Sequence, residues 1–330
     1  MTERGEARGR TDLVVVGDCN PDVLVLGDDV TPSFGQQEKL VDGIWLVVGG
    51  SAAITAVAAA RLGLSVELVA VVGADPAGDF MLGQLAREGV GTAAVAVRDG
   101  VPTGMTVALS RGADRAILTA LGAIASLTAQ DVPAALLARA RHVHISSYFL
   151  LENSLGPGLA AMLAAARAAG ATTSLDTNWD PAGKWGDGRL RASLAQTDVL
   201  LPNEREATAI AGGPDLPAAA GALTAAGPRV AVKLGERGAL CADGPVWHRV
   251  QLPPVTPVDS TGAGDCFNAG LIAGLLRGLA LPDAAKLGCA VGALSTRAAG
   301  GTASCPDLAS ALALAQTATV RRVGAGAPSP

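Results

Sequence analysis

The chain has 330 residues, 25 Lys and Arg against 30 Asp and Glu, a formal net charge of −5 and 49% hydrophobic residues. That composition excludes wholesale disorder and supplies a core for two ordinary domains or one large α/β domain. The mildly acidic balance, scattered Lys and Arg and 3% aromatic content point away from nucleic acid or an anionic membrane as partner.

Taken in chain order, residues 1–10 are charged, lack a signal-peptide core and are expected to be a disordered tail. Leu13–Val16 predicts a strand stopped by Gly17, and Ser51–Leu62 an alanine-rich helix stopped by Gly63. Val66–Val72 predicts a strand, and Ala77–Glu88 a helix with Phe80, Met81 and Leu85 at helical spacing. The beat recurs with strands at His142–Ile145, Thr172–Leu175, Val199–Leu201 and Val230–Leu234 and helices at Gly158–Ala169 and Glu204–Ala211. Helices over Gly264–Arg277, Pro282–Arg297 and Ser304–Gln316 close it. Short strands alternating with longer helices imply an α/β fold, a mostly parallel sheet covered on both faces. Val23–Val47 and Thr92–Leu118 break the beat with turn residues and alternating patterns. They read as antiparallel lid strands projecting from the main sheet. A single domain is expected over about residues 11–320, followed by a flexible tail over 321–330.

No apolar run reaches the roughly 18 residues of a membrane span; Arg61, Glu67 and Arg167 interrupt the candidates. The five cysteines, at 19, 241, 266, 289 and 305, form no CxxC pair. They fit a reduced cytoplasmic protein with neither a disulfide framework nor a zinc site. His142 and His144 share one strand face and read as packed, hydrogen-bonded histidines rather than metal ligands. GxxxxGK[ST] and GxSxG are absent, and the first strand runs into Gly17-Asp18-Cys19-Asn20 instead of GxGxxG.

The informative segment is 258–278, VDSTGAGDCFNAGLIAGLLRG. Thr261-Gly262-Ala263-Gly264 is small and flexible and leads into a helix with Phe267, Leu271 and Leu275 every four residues. Free backbone N–H groups at such a helix start favour an anion. Asp265 lies in the first turn, where an acid either caps the helix or serves as a base. A carboxylate beside a glycine-lined anion site can take the proton of an alcohol that attacks a phosphoryl group held by those N–H groups. Asp259, six residues earlier, either binds a cation or caps the turn.

This segment resembles the second signature of the PfkB/ribokinase family of carbohydrate kinases, D-x-T-G-A-G-D running into a glycine-containing helix. Gly49-Gly50-Ser51-Ala52-Ala53, with Ala56-Val57-Ala58 and Arg61-Leu62-Gly63, resembles the first signature and continues into Val72-Gly73-Ala74-Asp75 and Gly78. Asn203-Glu204-Arg205-Glu206 resembles the N-x-x-E motif, and Lys233–Gly238 the strand-to-turn segment before the nucleotide site. The resemblance covers roughly residues 11–316. It implies a ribokinase-like three-layer αβα core with a small β-strand lid, lid contacts in a homodimer, and ATP-dependent phosphorylation of a small molecule. Asp265 would be the catalytic base, and the N–H groups of Gly262, Ala263 and Gly264 the anion hole. Asn203 and Glu206 would organise Mg²⁺ and phosphates, Glu206 through water; as plain structure the same pair is a capping box. Lys233 and Gly235 would line ATP, with Gly238 giving a tight turn, although a lysine there also suits a solvated strand end. Asp259 and Thr261 resemble positions that help hold a monovalent cation such as K⁺, with carbonyls of 297–301 as further ligands.

In the acceptor pocket, Asn20 and Asp22 resemble an N-x-D that binds sugar hydroxyls, or else form a strand-end turn marked by Pro21. Gly49 and Gly50 would admit close approach of the sugar to the backbone. Glu152 stands where some members carry an acid facing the substrate, and otherwise reads as surface. The family's first signature usually carries Asn four residues after the second glycine; here the residue is Ile54, which can neither donate nor accept. After Asp176-Thr177-Asn178, Trp179-Asp180 replaces the Arg of many sugar-acid and sugar-phosphate kinases, which weakens the case for an anionic acceptor. The leading expectation is phosphorylation of a hydroxymethyl group of a neutral sugar. A nucleoside kinase of the same fold and a catalytically silent sugar- or nucleotide-binding regulator stand as alternatives.

Overall fold

The computed structural model describes residues 10–111 and 114–324. Of the two expected tails, residues 1–9 and 325–330 lie outside the described residues. Fourteen strands follow one another: β1 (Thr11–Val16), β2 (Asn20–Leu26), β3 (Gly43–Gly49), β4 (Val66–Gly73), β5 (Gly91–Arg98), β6 (Met105–Arg111), β7 (Asp114–Ala120), β8 (Ala140–Ile145), β9 (Thr172–Leu175), β10 (Val199–Leu200), β11 (Arg229–Lys233), β12 (Ala239–Asp243), β13 (Val246–Gln251) and β14 (Thr319–Val323). Ten of them form one sheet in the order β14-β13-β12-β11-β10-β9-β8-β1-β4-β5. From β5 to β11 every pairing is parallel; β12, β13 and β14 then add an antiparallel edge.

The Val-rich central strands are apolar on both faces because both faces are covered. Val14 and Val16 point into a core closed by the helices 134–139, 156–168, 188–194 and 216–225. Leu13 and Val15 point into the opposite core, beneath the helices 51–61, 76–87, 263–276 and 281–295. The result is a three-layer αβα arrangement. Local chemistry sets the helix starts: Asp75 accepts from the Gly78 N–H at 2.8 Å ahead of Pro76, and Asp307 from the Ser310 N–H at 2.8 Å. The 263–276 helix is different, with no side-chain cap and Gly262 at φ 70° as its N-cap.

The remaining four strands form a second sheet in the order β3-β2-β6-β7. Thr92–Leu118, read from sequence as lid throughout, divides between the two sheets. β5 joins the main sheet parallel to β4, and only β6 and β7 enter the small one. As a half-exposed edge strand, β5 carries the same period-two pattern as a lid strand, so periodicity cannot separate them. The small sheet is also not wholly antiparallel, since β2 and β6 run parallel. The expected tail over 321–330 begins too early: residues 321–323 belong to β14, which pairs with β13.

Candidate active site

The candidate residues converge where the parallel strands end, the position at which open α/β sheets bind ligands. Asp18 follows β1 and is buried, its carboxylate accepting the N–H groups of Ser51 at 2.9 Å and Ala52 at 3.0 Å. Those groups open the 51–61 helix, whose N-cap Gly50 sits at φ 79° with no room for a Cβ: it would lie 2.8 Å from the Asp18 carbonyl. Gly49 is equally constrained, because its missing Cβ leaves the space that the Asp22 carboxylate occupies. Asn20 Nδ2 donates to Asp22 Oδ1 at 3.0 Å and Thr106 Oγ1 at 3.2 Å, tying the start of β2 to β6. Asn20, Asp22, Gly49 and Gly50 therefore form one cluster.

Asp265 is in the first turn of the uncapped helix. Burial pushes its carboxyl well up, and the negative charges of Asp176 and Asp18 add to that; Lys233 and the Ser51 hydroxyl pull it back. Ser51 Oγ in turn accepts from Asn178 Nδ2 at 2.8 Å, and the same amide donates to Ser147 Oγ at 3.0 Å. The order Asn178, Ser51, Asp265 thus runs from the end of β9 to the helix start.

Lys233 ends β11 and is not the solvated charge that sequence allows. Its Nζ lies 2.5 Å from Asp176 Oδ2, which also accepts from Asn268 Nδ2 at 2.5 Å. Burial alone would push the ammonium down, but the carboxylates of Asp176, Glu206 and Asp265 hold it above its ordinary value. Burial likewise opposes ionisation of Asp176, yet Lys233 keeps it below the usual carboxylate range. Asp18 and Asn268 are neighbours of the site to which sequence reasoning gave no role, and Asp176 and Asn178 entered it only as a run resembling the family's D-x-N, with no role assigned.

Asn203 and Glu206 form the capping box of the 204–211 helix: Asn203 N–H to Glu206 Oε2 at 2.8 Å, and Glu206 N–H to Asn203 Oδ1 at 2.9 Å. Burial, then the nearby Asp176 charge, pushes the Glu206 carboxyl up to about 7. Asn203 also bridges to Lys233 in parallel fashion, which brings the N-x-x-E segment beside the Lys233 turn. In that turn Gly238 has φ 84° and a missing Cβ that would meet the Val250 carbonyl, whereas Gly235 faces open space.

Asp259 Oδ1 accepts from Thr261 N–H at 2.9 Å and Thr261 Oγ1 at 2.8 Å, and Oδ2 from Gly300 N–H at 2.8 Å. Both oxygens clamp the loop ahead of Gly262 to the 300–301 turn. Ile54, 3% exposed, packs against that clamp: a Cβ on Gly301 would fall 2.5 Å from Ile54 Cδ1, and one on Gly262 would fall 3.1 Å from Ile54 Cγ2. Glu152 pairs with Arg189, its carboxylate 3.5 Å from the guanidinium. Asp180, in place of the family's arginine, is buried and accepts the N–H groups of Ala182, Lys184 and Trp185 at 2.6–2.8 Å. Trp179 is 55% exposed, with its ring edge-on to Trp185 at 4.8 Å. The histidines pack as expected: His142 meets Thr172 and Ser174, and His144 meets Ser174 and Ser146.

The donor set bears on a metal. Among the described residues no three His, Cys, Asp or Glu side chains gather as ligands. Mg²⁺ suits such a site, because it keeps several waters and takes one or two carboxylates together with substrate phosphates.

The model of the pfkB family of carbohydrate kinases matches residues 10–308. A ribokinase of Haemophilus influenzae is 27% identical over 308 residues, covering 90% of this chain and 96% of that protein. A fructokinase of Klebsiella pneumoniae is 32% identical over 307 residues, covering 87% and 97%. Among solved structures, a candidate Ribokinase II of E. coli in complex with ATP and Mg²⁺ superimposes with a TM-score of 0.81 at 25% identity, covering 93% of this chain and 99% of that one.

Proposed function

The chain belongs to the pfkB family of carbohydrate kinases, and we propose that it transfers the γ-phosphoryl group of ATP to a hydroxymethyl group of a small neutral sugar. The observation that carries this reading is Asp265, a partly buried carboxylate immediately after Gly262-Ala263-Gly264 in the first turn of a helix with no side-chain cap. There the backbone N–H groups favour the transferring phosphoryl group, and the carboxylate takes the proton that the acceptor alcohol loses. Burial pushes this carboxyl up, which makes it a stronger base than an exposed aspartate. Asn20 and Asp22, fixed by Gly49 and Thr106, supply donors and acceptors for sugar hydroxyls.

Asn203 and Glu206 face the phosphates with Lys233, Gly235 and Gly238 along the nucleotide. Mg²⁺, when bound, neutralises phosphate charge; Glu206 reaches it through water, since its own oxygens are engaged by Asn203. A monovalent cation would be held by Asp259, which already accepts from Thr261 and Gly300, with Thr261 and backbone carbonyls of 297–301. Asp180 replacing a cationic side chain favours the neutral acceptor. A silent binder could use the anion hole but has no need of the base.

The test is ADP release with Mg·ATP against neutral sugars, sugar phosphates, sugar acids and nucleosides, with and without potassium. One neutral sugar should be strongly preferred, and Asp265→Asn should lower kcat by about 10²–10⁴-fold with the fold intact. Unchanged turnover in that variant overturns the assigned base.

A further inference from the structure

Cys266 and Cys305 are 39 residues apart in the chain and meet directly behind the Asp265 turn. Their Sγ atoms are 3.3 Å apart, and each lies 3.5 Å from the Gly301 carbonyl oxygen. Both partners are held. Cys266 donates its N–H to the Gly262 carbonyl at 2.9 Å in the first turn of the helix. On the other side, Arg61 Nη1 donates to the carbonyls of Thr302 at 2.8 Å and Cys305 at 3.2 Å, while its Nε and Nη2 grip Glu88 at 2.7 and 2.8 Å. Cys305, 7% exposed, is the more accessible of the two, since Cys266 is 0% exposed.

We propose that Cys266 and Cys305 are an oxidation-sensitive pair that a hydroperoxide converts to a disulfide across the back of the Asp265 turn. The Cys305 thiolate attacks the peroxide O–O bond, forming S–O and releasing one water after protonation. The Cys266 sulfur then attacks the sulfenic sulfur; S–S forms, S–O breaks, and the leaving hydroxide takes the Cys266 proton as a second water. Two thiols lose two electrons, and one peroxide is reduced to two waters. Bond formation shortens the sulfur separation from 3.3 Å to about 2.05 Å. The 301–305 turn must then press on a helix start that has no slack, since even a Cβ on Gly262 would sit 2.7 Å from Gly301 Cα. Displacing the base by a fraction of an ångström slows in-line transfer. That last step rests on the kinase reading; the cross-link does not.

The reduced full-length chain is titrated with hydrogen peroxide, quenched by alkylation under denaturing conditions, and mapped by peptide mass. Alkylatable thiols should fall by two from the five in the chain, with one cross-linked peptide pair carrying residues 266 and 305. ADP release should drop about a hundredfold and return with dithiothreitol. Cys305→Ser should keep resting ADP release and resist peroxide. A disulfide through any other cysteine, or Cys305 recovered as sulfinic acid with Cys266 still a thiol, overturns the proposal. Should the variant fail to fold, mapping of the unsubstituted chain decides. A reduced chain silent on every acceptor defeats the kinase reading while the map still settles the pair.

Discussion

One cation serves three acids at the centre of the site: Lys233 pairs with the buried Asp176 and moderates the buried Glu206 and the partly buried Asp265. Within that balance the Ser51 hydroxyl is a neutral group that favours the ionised Asp265 carboxyl. A hydrogen bond to the charged form lowers a carboxyl's pKa, so Ser51→Ala should raise the Asp265 pKa further. A base with a higher pKa is protonated over more of the acid range. The acid limb of kcat/KM against pH should therefore move to higher pH, with the alkaline plateau little changed; a limb that stays put removes Ser51 from the mechanism. Asp265 was legible in the sequence because Gly262, Ala263, Gly264 and Asp265 are contiguous. Its controllers were not, because Asp176 meets Lys233 across 57 residues and Asn268 across 92. Only the folded sheet brings them together.

Among the helix starts, the 204–211 capping box joins stability to site electrostatics. The Glu206 carboxyl sits at about 7 against an ordinary 4.5. Below pH 4.5 it is protonated in the folded and the unfolded chain alike, and its contribution is fully present. As pH rises toward 7, the unfolded chain gives up this proton while the folded chain keeps it, so stability falls by on the order of 3 kcal/mol. Glu206→Gln carries the neutral form at every pH and should flatten that part of the decline in Tm between pH 4.5 and 7. Parallel declines in both proteins would show that Glu206 does not titrate in this range. A capping box and an N-x-x-E motif look identical in sequence, and the structure shows the box. The β/α alternation was likewise legible, from Thr172–Leu175 to Glu204–Ala211. The antiparallel edge from β12 to β14 was not, because short strands such as Thr319–Val323 carry charged, half-exposed residues and no apolar run.

At the scale of the whole molecule, the two sheets differ in how they are covered. The main sheet has helices on both faces. The small sheet lays one face over the site, with Leu24 and Val47 reaching to about where a Cβ on Gly300 would stand. Strand alternation puts Val23, Val25, Ile44, Leu46, Val107 and Leu118 on its other face. These are apolar, yet Ile44 is 62%, Leu46 48% and Leu118 65% exposed. The exposed apolar residues of Ile44–Val48 were visible in the sequence, but alternation alone could not say which side faced the site. A contiguous apolar sheet face of this kind marks an interaction surface. In the homodimer that the family resemblance implies, a second copy would cover this face and close the small sheet over the acceptor cluster of Asn20 and Asp22. Leu46→Asp places a charge in the middle of that face while leaving the inner face, which holds the acceptor residues, untouched. Sedimentation should then show the unsubstituted chain as a dimer and the variant as a monomer, with KM for the sugar raised more than kcat is lowered, because the small sheet would lose its support. A Leu46→Asp protein that still sediments as a dimer would place the contact elsewhere.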